Sequence, residues 1–184
     1  FPARPGAFRI DEMAASDRED ITEDFAAAAR RARDAGFDCL LLDAGPGSLL
    51  GDALTRSDAP LAEPVRFPLA VVEAVARVWP ADRLLGVSLP VSDGEGDGIS
   101  LEAAFDLVRR LDQAGYDLVA PVDVSTSGRE VDQKGPSDFS DDIRNETGIA
   151  TLATAPTTSL DKVNTLVATG RADLCSFPRS PPEQ

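Results

Sequence analysis

Asp43 and Ser48 are the first side chains capable of chemistry, and they follow an apolar run that is typical of a buried strand. Residues 40–50 read LLLDAGPGSLL. The loop after a strand is where an α/β protein commonly places its binding and catalytic groups. Serine catalysis needs a base to take the hydroxyl proton, but the chain has no histidine, and no lysine lies near this loop. Asp43 is therefore interpreted as a cap for the backbone N–H groups of its own turn.

A second polar group follows a later apolar run, where Asp123 and Ser125 begin a polar stretch. Together with Asp43 and Ser48, these side chains could bind a small ligand at one edge of a sheet. Ordinary turn chemistry explains the same residue types, because aspartate and serine hydrogen-bond readily to nearby backbone groups. The turn interpretation is preferred, and the ligand site is kept as an alternative.

Metal sites are not expected. Residues 93–98 read DGEGDG, with acids at positions 1, 3 and 5 and glycine at position 6, as in a calcium-binding loop. The twelfth position holds Ala104 in place of glutamate, so a solvated turn is favoured. Zinc is disfavoured because the chain has no histidine and its two cysteines, Cys39 and Cys175, are far apart. Both cysteines lie in apolar runs, and we expect buried free thiols there.

The composition describes a globular domain with a strongly acidic surface. The 184 residues are 42% hydrophobic and 27% charged, and the formal net charge is −14. Such a charge repels phosphate backbones and anionic lipid, so we expect neither nucleic acid nor a membrane as a partner. No apolar stretch approaches the roughly 20 residues of a membrane helix, and no signal peptide is recognised. The chain is therefore expected to be cytoplasmic.

Helical and strand patterns alternate along the chain, which predicts a parallel sheet with helical crossovers. Five predicted strands can form either an open doubly wound sheet or five-eighths of a (β/α)₈ barrel, and periodicity alone leaves both open. No glycine-rich dinucleotide fingerprint follows the first strand. The predicted helices cover residues 16–35, 67–79, 100–114, 138–146 and 159–169, and the predicted strands cover 39–42, 84–89, 117–124, 149–153 and 172–177.

Local signals refine these elements. Residues 16–19 are interpreted as a capping box that starts the first helix, and Ser100 as the cap of the third. Trp79, at a helix end, is expected to anchor packing. Residues 51–64 are rich in proline and aspartate and predict a loop, and residues 125–137 predict a mobile loop.

Several long segments resemble the old yellow enzyme family of FMN-dependent barrels. DFAAAARRARDAGFDCLLLDA is similar to the family's fourth strand and the helix before it, and VNTLVATGRADLCSFPR is similar to the last βα unit. The likeness covers about residues 14–179 and is greatest to the barrel fused behind the hydroxylase domain of salicylyl-CoA hydroxylase and anthraniloyl-CoA monooxygenase. It implies an α/β fold of consecutive βα units, equivalent to the last five strands of a TIM barrel. Residues 16–177 would form this partial barrel, between an N-terminal extension at 1–15 and a proline-rich tail at 178–184.

The resemblance also implies that the family's substrate-binding groups are substituted. The family has a His-x-x-His or His-x-x-Asn pair after the fourth strand, and this chain has Asp43 and Pro46 there. Ser48 stands in place of the family's proton-donating tyrosine. Ser88 stands in place of the arginine that contacts the N1/O2 region of the flavin. A carboxylate at Asp43 would repel the negative charge that those donors stabilise in the family.

The phosphate-binding positions of the family are changed as well. A glycine loop after the seventh strand corresponds to Ala155 and Pro156, and proline has no N–H to offer a phosphate. The Gly-Arg pair after the eighth strand corresponds to Pro178 and Arg179. Only Arg179 is retained, as a vestigial phosphate-binding residue.

These substitutions predict a degenerate flavin-barrel domain without catalysis of its own and without a bound cofactor. It would be a structural or interaction part of a flavin-dependent aryl-CoA hydroxylase system. Its partners would be a second copy of itself or a flavin hydroxylase domain, because an uncovered sheet edge favours pairing. Two alternatives stay open: an FMN- or NADH-dependent oxidoreductase completed by strands from upstream sequence or a partner, and a small-ligand binding module.

Overall fold

The chain folds as a parallel sheet with helical crossovers, and the computed structural model describes residues 13–55, 63–92, 98–124, 136–154 and 159–176. Within these ranges, no helix is long and apolar enough to cross a lipid bilayer. The helices are α1 (Ala15–Asp34), α2 (Leu49–Thr55), α3 (Glu63–Ala76), α4 (Leu101–Gln113), α5 (Pro136–Thr147) and α6 (Leu160–Ala168), and the strands are β1 (Cys39–Asp43), β2 (Leu84–Ser92), β3 (Ile99–Ser100), β4 (Leu118–Asp123), β5 (Ala150–Thr154) and β6 (Leu174–Ser176).

The strand order decides between the two folds that the sequence left open. The sheet runs β1-β2-β4-β5-β6, and the two-residue β3 pairs with the end of β2. Every pairing is parallel. A doubly wound sheet reverses its order at a switch point, whereas this order never reverses. Right-handed crossovers in one direction place all helices on one face, so the sheet is a half-barrel and the predicted fold is confirmed.

The two faces of the sheet are covered unequally. On the face that packs against the helices, Leu85, Val87 and Leu89 are each at most 2% exposed. On the other face Leu41 is 43% and Leu84 48% exposed at the β1 edge, although Leu118 and Ala120 of the central strand β4 are buried. Strand alternation separates these two sets, because successive side chains point to opposite faces.

The expectation that residues 39–42 form a fully buried strand is therefore wrong. Of these four residues, only Leu42 is buried. The expectation of buried thiols is wrong for Cys39, which is exposed, while Cys175 is half-buried; both are free. An apolar run predicts a strand that is buried on both faces. Among the described residues, however, strand β1 is buried only on the face that packs against the helices.

The hydrophobic core lies between the sheet and helices α1 to α5. Trp79 is 6% exposed and its indole N–H donates to the carbonyls of Arg83 and Leu84 at 3.2 Å, so its predicted packing role is confirmed. The chain turns from α4 into β4 at Gly115, whose φ of +90° favours glycine. The largest fully buried side chains are Tyr116, Phe139, Leu50, Leu85, Leu89, Leu111, Ile143, Val71, Val75, Val87, Val91 and Val108.

The predicted N-terminal cap is confirmed for one helix and wrong for another. Ser100 caps α4 as predicted, since its Oγ accepts the Ala103 N–H at 3.2 Å. The predicted capping box from Ser16 to Glu19 is wrong, because the N-cap of α1 is Ala14, two residues earlier. Asp17 instead reaches back to accept the N–H of Ala14 at 3.1 Å.

Two elements were not predicted, and one predicted loop cannot be compared. Helix α2 occupies the first residues of a stretch expected to be loop, and β3 extends the sheet just before α4. Helix α3 begins at Glu63 rather than at Phe67. The polar stretch expected to be a mobile loop, residues 125–137, lies outside the described residues up to 135.

Acidic side chains at the start of two strands fasten neighbouring strands together. Asp117 precedes β4 and its Oδ2 accepts the N–H of Leu85 at 2.9 Å. Asp173 precedes β6 and its Oδ2 accepts the N–H of Thr151 at 3.0 Å. Each carboxylate satisfies a strand-end N–H at the amino edge of the sheet, the edge opposite to the candidate site.

Candidate functional site

The carboxyl ends of β1 and β2 carry a closed set of hydrogen bonds. Asp43 and Ser88 are direct partners in the strand register. The Oδ1 of Asp43 accepts the Ser88 hydroxyl at 2.9 Å and the Gly45 N–H at 2.9 Å. The Ser88 oxygen accepts the Ala44 N–H at 3.1 Å. Asp43 therefore caps its own turn, as the sequence suggested, and it also pairs with a residue 45 positions away.

Ser48 serves the helix that follows the turn. Its hydroxyl donates to the Gly45 carbonyl at 2.8 Å and accepts the N–H of Gly51 at 2.9 Å. It thereby satisfies one of the N–H groups at the start of α2. Gly51 has to be glycine, because a Cβ there would lie 2.1 Å from the Gly45 carbonyl oxygen. The hydroxyl of Ser48 is thus engaged within its own loop.

The structure does not bring Asp123 to the same site. Asp123 ends β4 in register with Val91, which is fully buried on the helix-covered face. Strand alternation therefore places Asp123 on the opposite face from Ser88. Of the other predicted site residues, Ser125 and Arg179 lie outside the described residues, as do Ala155, Pro156 and Pro178.

A second polar pair, which the sequence analysis missed, lies at the far end of the same edge. Thr154 ends β5 and Ser176 ends β6, and their hydroxyl oxygens are 3.1 Å apart. Both residues are exposed. Because side chains alternate between the two faces of a strand, the sequence could have placed both hydroxyls on the helix-free face. A threonine and a serine alone, however, do not indicate a functional site.

The described polar side chains at this edge, Asp43, Ser48, Ser88, Thr154 and Ser176, act as hydrogen-bond donors and acceptors. The segments that end β1 and β2 contain no lysine or arginine. Among the described residues, no group of three or more cysteine or acidic side chains could hold a metal ion. A cavity of about 10 Å³ lies beneath the β1–α2 turn and is lined by aliphatic side chains, which is too small for an organic ligand.

Two larger grooves lined by described residues lie on the outer surface of the helices. One, of about 370 Å³, lies between α1 and α3 and is floored by Phe67, Ala70 and Ala74. The other, of about 380 Å³, lies between α3 and α4 beside Leu69 and Val72. Neither contains a predicted site residue.

Comparison with known families gives one match over nearly the whole chain. The sequence model described as the NADH:flavin oxidoreductase / NADH oxidase family matches residues 6–181. Among curated proteins, a NADPH dehydrogenase from Geobacillus thermodenitrificans (strain NG80-2) is 34% identical over 177 residues. One from Geobacillus sp. (strain WCH70) is 32% identical over 182 residues.

These relatives are longer than the chain. The two Geobacillus alignments cover 89% and 91% of this chain but only 50% and 52% of the relatives. Among solved structures, morphinone reductase superposes with a TM-score of 0.71 at 22% identity, covering 90% of this chain and 46% of that one. The structural likeness shows the fold, and the chain spans about half the length of the curated relatives it matches.

Proposed function

The chain belongs to the NADH:flavin oxidoreductase / NADH oxidase family, and we propose that it is a degenerate member which neither holds FMN nor catalyses a reaction by itself. In this proposal the chain is a structural or interaction half of a flavin barrel. Its role is to present a folded βα scaffold to another protein segment.

The hydrogen-bond set around Asp43 is the observation that supports this proposal. At the positions where the family resemblance expects a histidine and an arginine, this chain has an aspartate and a serine bonded to each other. The donor capacity of the Ser88 hydroxyl is used on Asp43, so it is not directed at a ligand. A carboxylate and a hydroxyl do not supply the positive charge that the N1/O2 region of a flavin takes from arginine. The described part of the site therefore does not fit FMN.

We further propose that the larger assembly is a flavin-dependent aryl-CoA hydroxylase. This finer proposal rests on the likeness of residues 14–179 to the barrel behind such hydroxylase domains. The proteins named above as relatives are NADPH dehydrogenases, and the solved structure is a morphinone reductase. Measuring whether an aryl-CoA hydroxylase domain binds the chain in a pull-down of purified components would test it.

A flavin titration tests the main proposal. The purified chain should be colourless, and excess FMN should change neither its melting temperature nor the visible spectrum of the flavin. The Geobacillus thermodenitrificans NADPH dehydrogenase, measured in parallel, is the reference protein. Flavin bands that co-purify with the chain, or a melting temperature that rises with FMN concentration, would overturn the proposal.

A matched pair of variants sharpens the same titration. Ser88→Arg puts a cation beside Asp43, whereas Ser92→Arg puts the same cation on the same strand away from the pair. If the lost positive charge is what prevents binding, Ser88→Arg alone should gain a detectable response to FMN. A response in wild type equal to that in Ser88→Arg would show instead that the Asp43–Ser88 pair does not exclude the cofactor.

A further inference from the structure

The groove between α1 and α3 is lined by one stripe of residues from each helix. On α1 the stripe runs from Ala15 to Glu23, and on α3 it runs from Arg66 to Arg77, just after the helix ends. At the usual helical rise the two stripes are about 12 and 16 Å long, or two to three turns. We call this feature, with its volume of about 370 Å³, the outer groove.

The floor of the outer groove is apolar. Phe67 and Ala74 are each 5% exposed, and Ala70, one turn before Ala74, is exposed. Thr22 lines the opposite wall, but its hydroxyl is used inside α1, where it donates to the Arg18 carbonyl at 2.7 Å. The floor therefore offers apolar contact to another side chain, and the hydroxyl beside it is already satisfied.

Arginines border the outer groove, although the whole chain is strongly acidic. The lining holds more cations than anions: Arg18, Arg66 and Arg77 against Glu19 and Glu23. Glu23 accepts a hydrogen bond from Arg30 at 2.7 Å, so its charge is compensated outside this set. Within the part of the chain that the structure describes, Arg18 and Arg77 form no ion pair. The groove therefore carries a local positive charge in a chain whose net charge is −14.

The spacing of these charges indicates the shape of an occupant. Arg66 and Arg77 lie at the two ends of the α3 stripe, about three turns apart, and the apolar floor lies between them. A helix laid along the groove would meet cations near both of its ends and apolar surface in its middle. Charges at a protein surface interact over only about 8 Å at physiological salt, so such a helix responds to these arginines more than to distant acids.

We propose that the outer groove docks an acidic amphipathic helix of a partner protein. Two apolar side chains of that helix, one turn apart, pack on Phe67, Ala70 and Ala74. Carboxylates near its two ends pair with Arg66 and Arg77, because a guanidinium can donate two parallel hydrogen bonds to a carboxylate.

The proposal goes beyond the proposed function, because none of its residues belongs to the flavin site. The flavin titration and the binding test below can therefore fail separately. A second copy of the chain is a less suitable occupant, since two molecules with a net charge of −14 repel each other.

The binding test titrates the full chain into a dye-labelled synthetic helix and records fluorescence anisotropy. The peptide has about twelve residues, a glutamate near each end, and leucines at i and i+3 between them. A matched peptide carries lysine in place of each glutamate. The glutamate peptide should bind saturably, and the lysine peptide should bind at least about tenfold more weakly.

Variants of the chain locate the binding and its cause. Ala70→Glu should weaken binding of the glutamate peptide at least about tenfold, because it places a charge on the apolar floor. Ala28→Glu, at an exposed position of α1 outside the groove, is the matched control and should leave binding unchanged. Arg18→Glu combined with Arg77→Glu should reverse the preference, so that the lysine peptide binds more tightly. A damaged fold would weaken both peptides, so only a change in the groove's charge produces this reversal.

Four results would overturn the proposal. Absence of saturable binding would show that the groove does not dock a helix of this kind. Equal binding of the two peptides would show that the arginines do not select the partner. Binding that Ala70→Glu leaves unchanged would place the peptide elsewhere on the surface. Self-association of the chain that Ala70→Glu abolishes would show that a second copy occupies the groove.

Discussion

Two parts of the molecule are each stabilised by a different kind of interaction. In the first part, from α1 through β4, the sheet packs on helices through aliphatic side chains such as Val71, Val87 and Leu89, which are at most 1% exposed. The main hydrophobic cluster ends along the chain at Ile149. Beyond Ile149, the buried residues in the described ranges are small or few: Thr151, Ala153, Val163 and Ala172.

The second part, from α5 through β6, joins the core through Phe139 and Ile143 of α5, and beyond Ile149 it is held mainly by charged groups. Arg144 Nε donates to both carboxylate oxygens of Asp173 at 3.1 and 3.0 Å. Arg171 pairs with Asp138 on α5. These side chains are between 34% and 39% exposed, so solvent screens much of their attraction.

Because of this difference, the two parts are expected to differ in local stability. Apolar burial stabilises the first part without any outside contribution, because its helices already cover one face of the sheet. The second part is oriented by ion pairs, and its leucines Leu160 and Leu174 are exposed. We therefore expect the α6–β6 unit to open locally before the rest unfolds.

The largest expected effect comes from removing apolar volume in the first part. Leu89→Ala should lower the free energy of unfolding by about 2–5 kcal/mol, because Leu89 is 1% exposed and its loss leaves a cavity. Leu174→Ala removes the same atoms from a side chain that is 47% exposed and should cost far less. Urea unfolding of the two variants compares them directly. Similar losses would contradict the difference between the two parts.

The second largest loss of stability is expected from a substitution of Asp173. Asp173→Asn removes the charge that faces Arg144 and weakens the acceptor for the Thr151 N–H. We expect the free energy of unfolding to fall by about 1–3 kcal/mol at most, because partial exposure weakens the interaction. The variant should mainly increase local opening. Amide hydrogen exchange should accelerate in β5 and β6 while β2 keeps its protection. Uniform acceleration over both parts would mean that the second part has no separate opening.

The fold was largely predictable from the sequence, and its failures have physical reasons. Alternating apolar patterns located five strands, because side-chain periodicity follows directly from local geometry. Helix α2 was missed because residues 51–64 are rich in proline and aspartate, which favours a loop. Gly51 is required by its close contact with the Gly45 carbonyl, which sequence alone does not reveal. Cys39 was expected to be buried, because an apolar run does not reveal that one face lacks cover.

The candidate site was predictable only in part. The turn-capping role of Asp43 follows from local chemistry, and the hydrogen bond to the Gly45 N–H agrees with it. The bond between Asp43 and Ser88 joins residues 45 positions apart, so it depends on the strand register. Register also separates Asp123 from this pair, which sequence position alone did not indicate.

A third prediction concerns the buried polar contact of the first part. Tyr116 is 2% exposed, and its hydroxyl donates to the Val72 carbonyl at 3.2 Å. Tyr116→Phe should cost about 1 kcal/mol at neutral pH, the typical net value of such a bond. Burial raises the pKa of Tyr116 above its ordinary value of about 10.

The raised pKa gives this contact a pH dependence with a definite sign. Tyr116 helps to stabilise the fold fully below pH about 10, and this stability is lost as the pH rises further, since the unfolded chain then releases the proton first. The Phe variant lacks this slope, so its deficit should shrink above pH about 10. Tyr116 is the chain's single tyrosine, so tyrosinate absorbance follows it directly. Ionisation of the folded protein at the ordinary pKa would contradict its burial.

The smallest expected effect comes from an exposed ion pair between the two parts. Arg109 on α4 donates to Glu146 on α5 at 2.6 Å, but their side chains are 47% and 51% exposed. Glu146→Gln should therefore cost about 0.2–1 kcal/mol, and high salt should remove most of that difference. Asp173→Asn should keep more of its effect in high salt, because Asp173 also accepts a backbone N–H that salt does not replace. Paired urea unfolding curves at low and high salt measure this contrast. If both variants lose their effects equally in salt, Asp173 acts through its charge alone, and its hydrogen bond with the Thr151 N–H makes no measurable contribution.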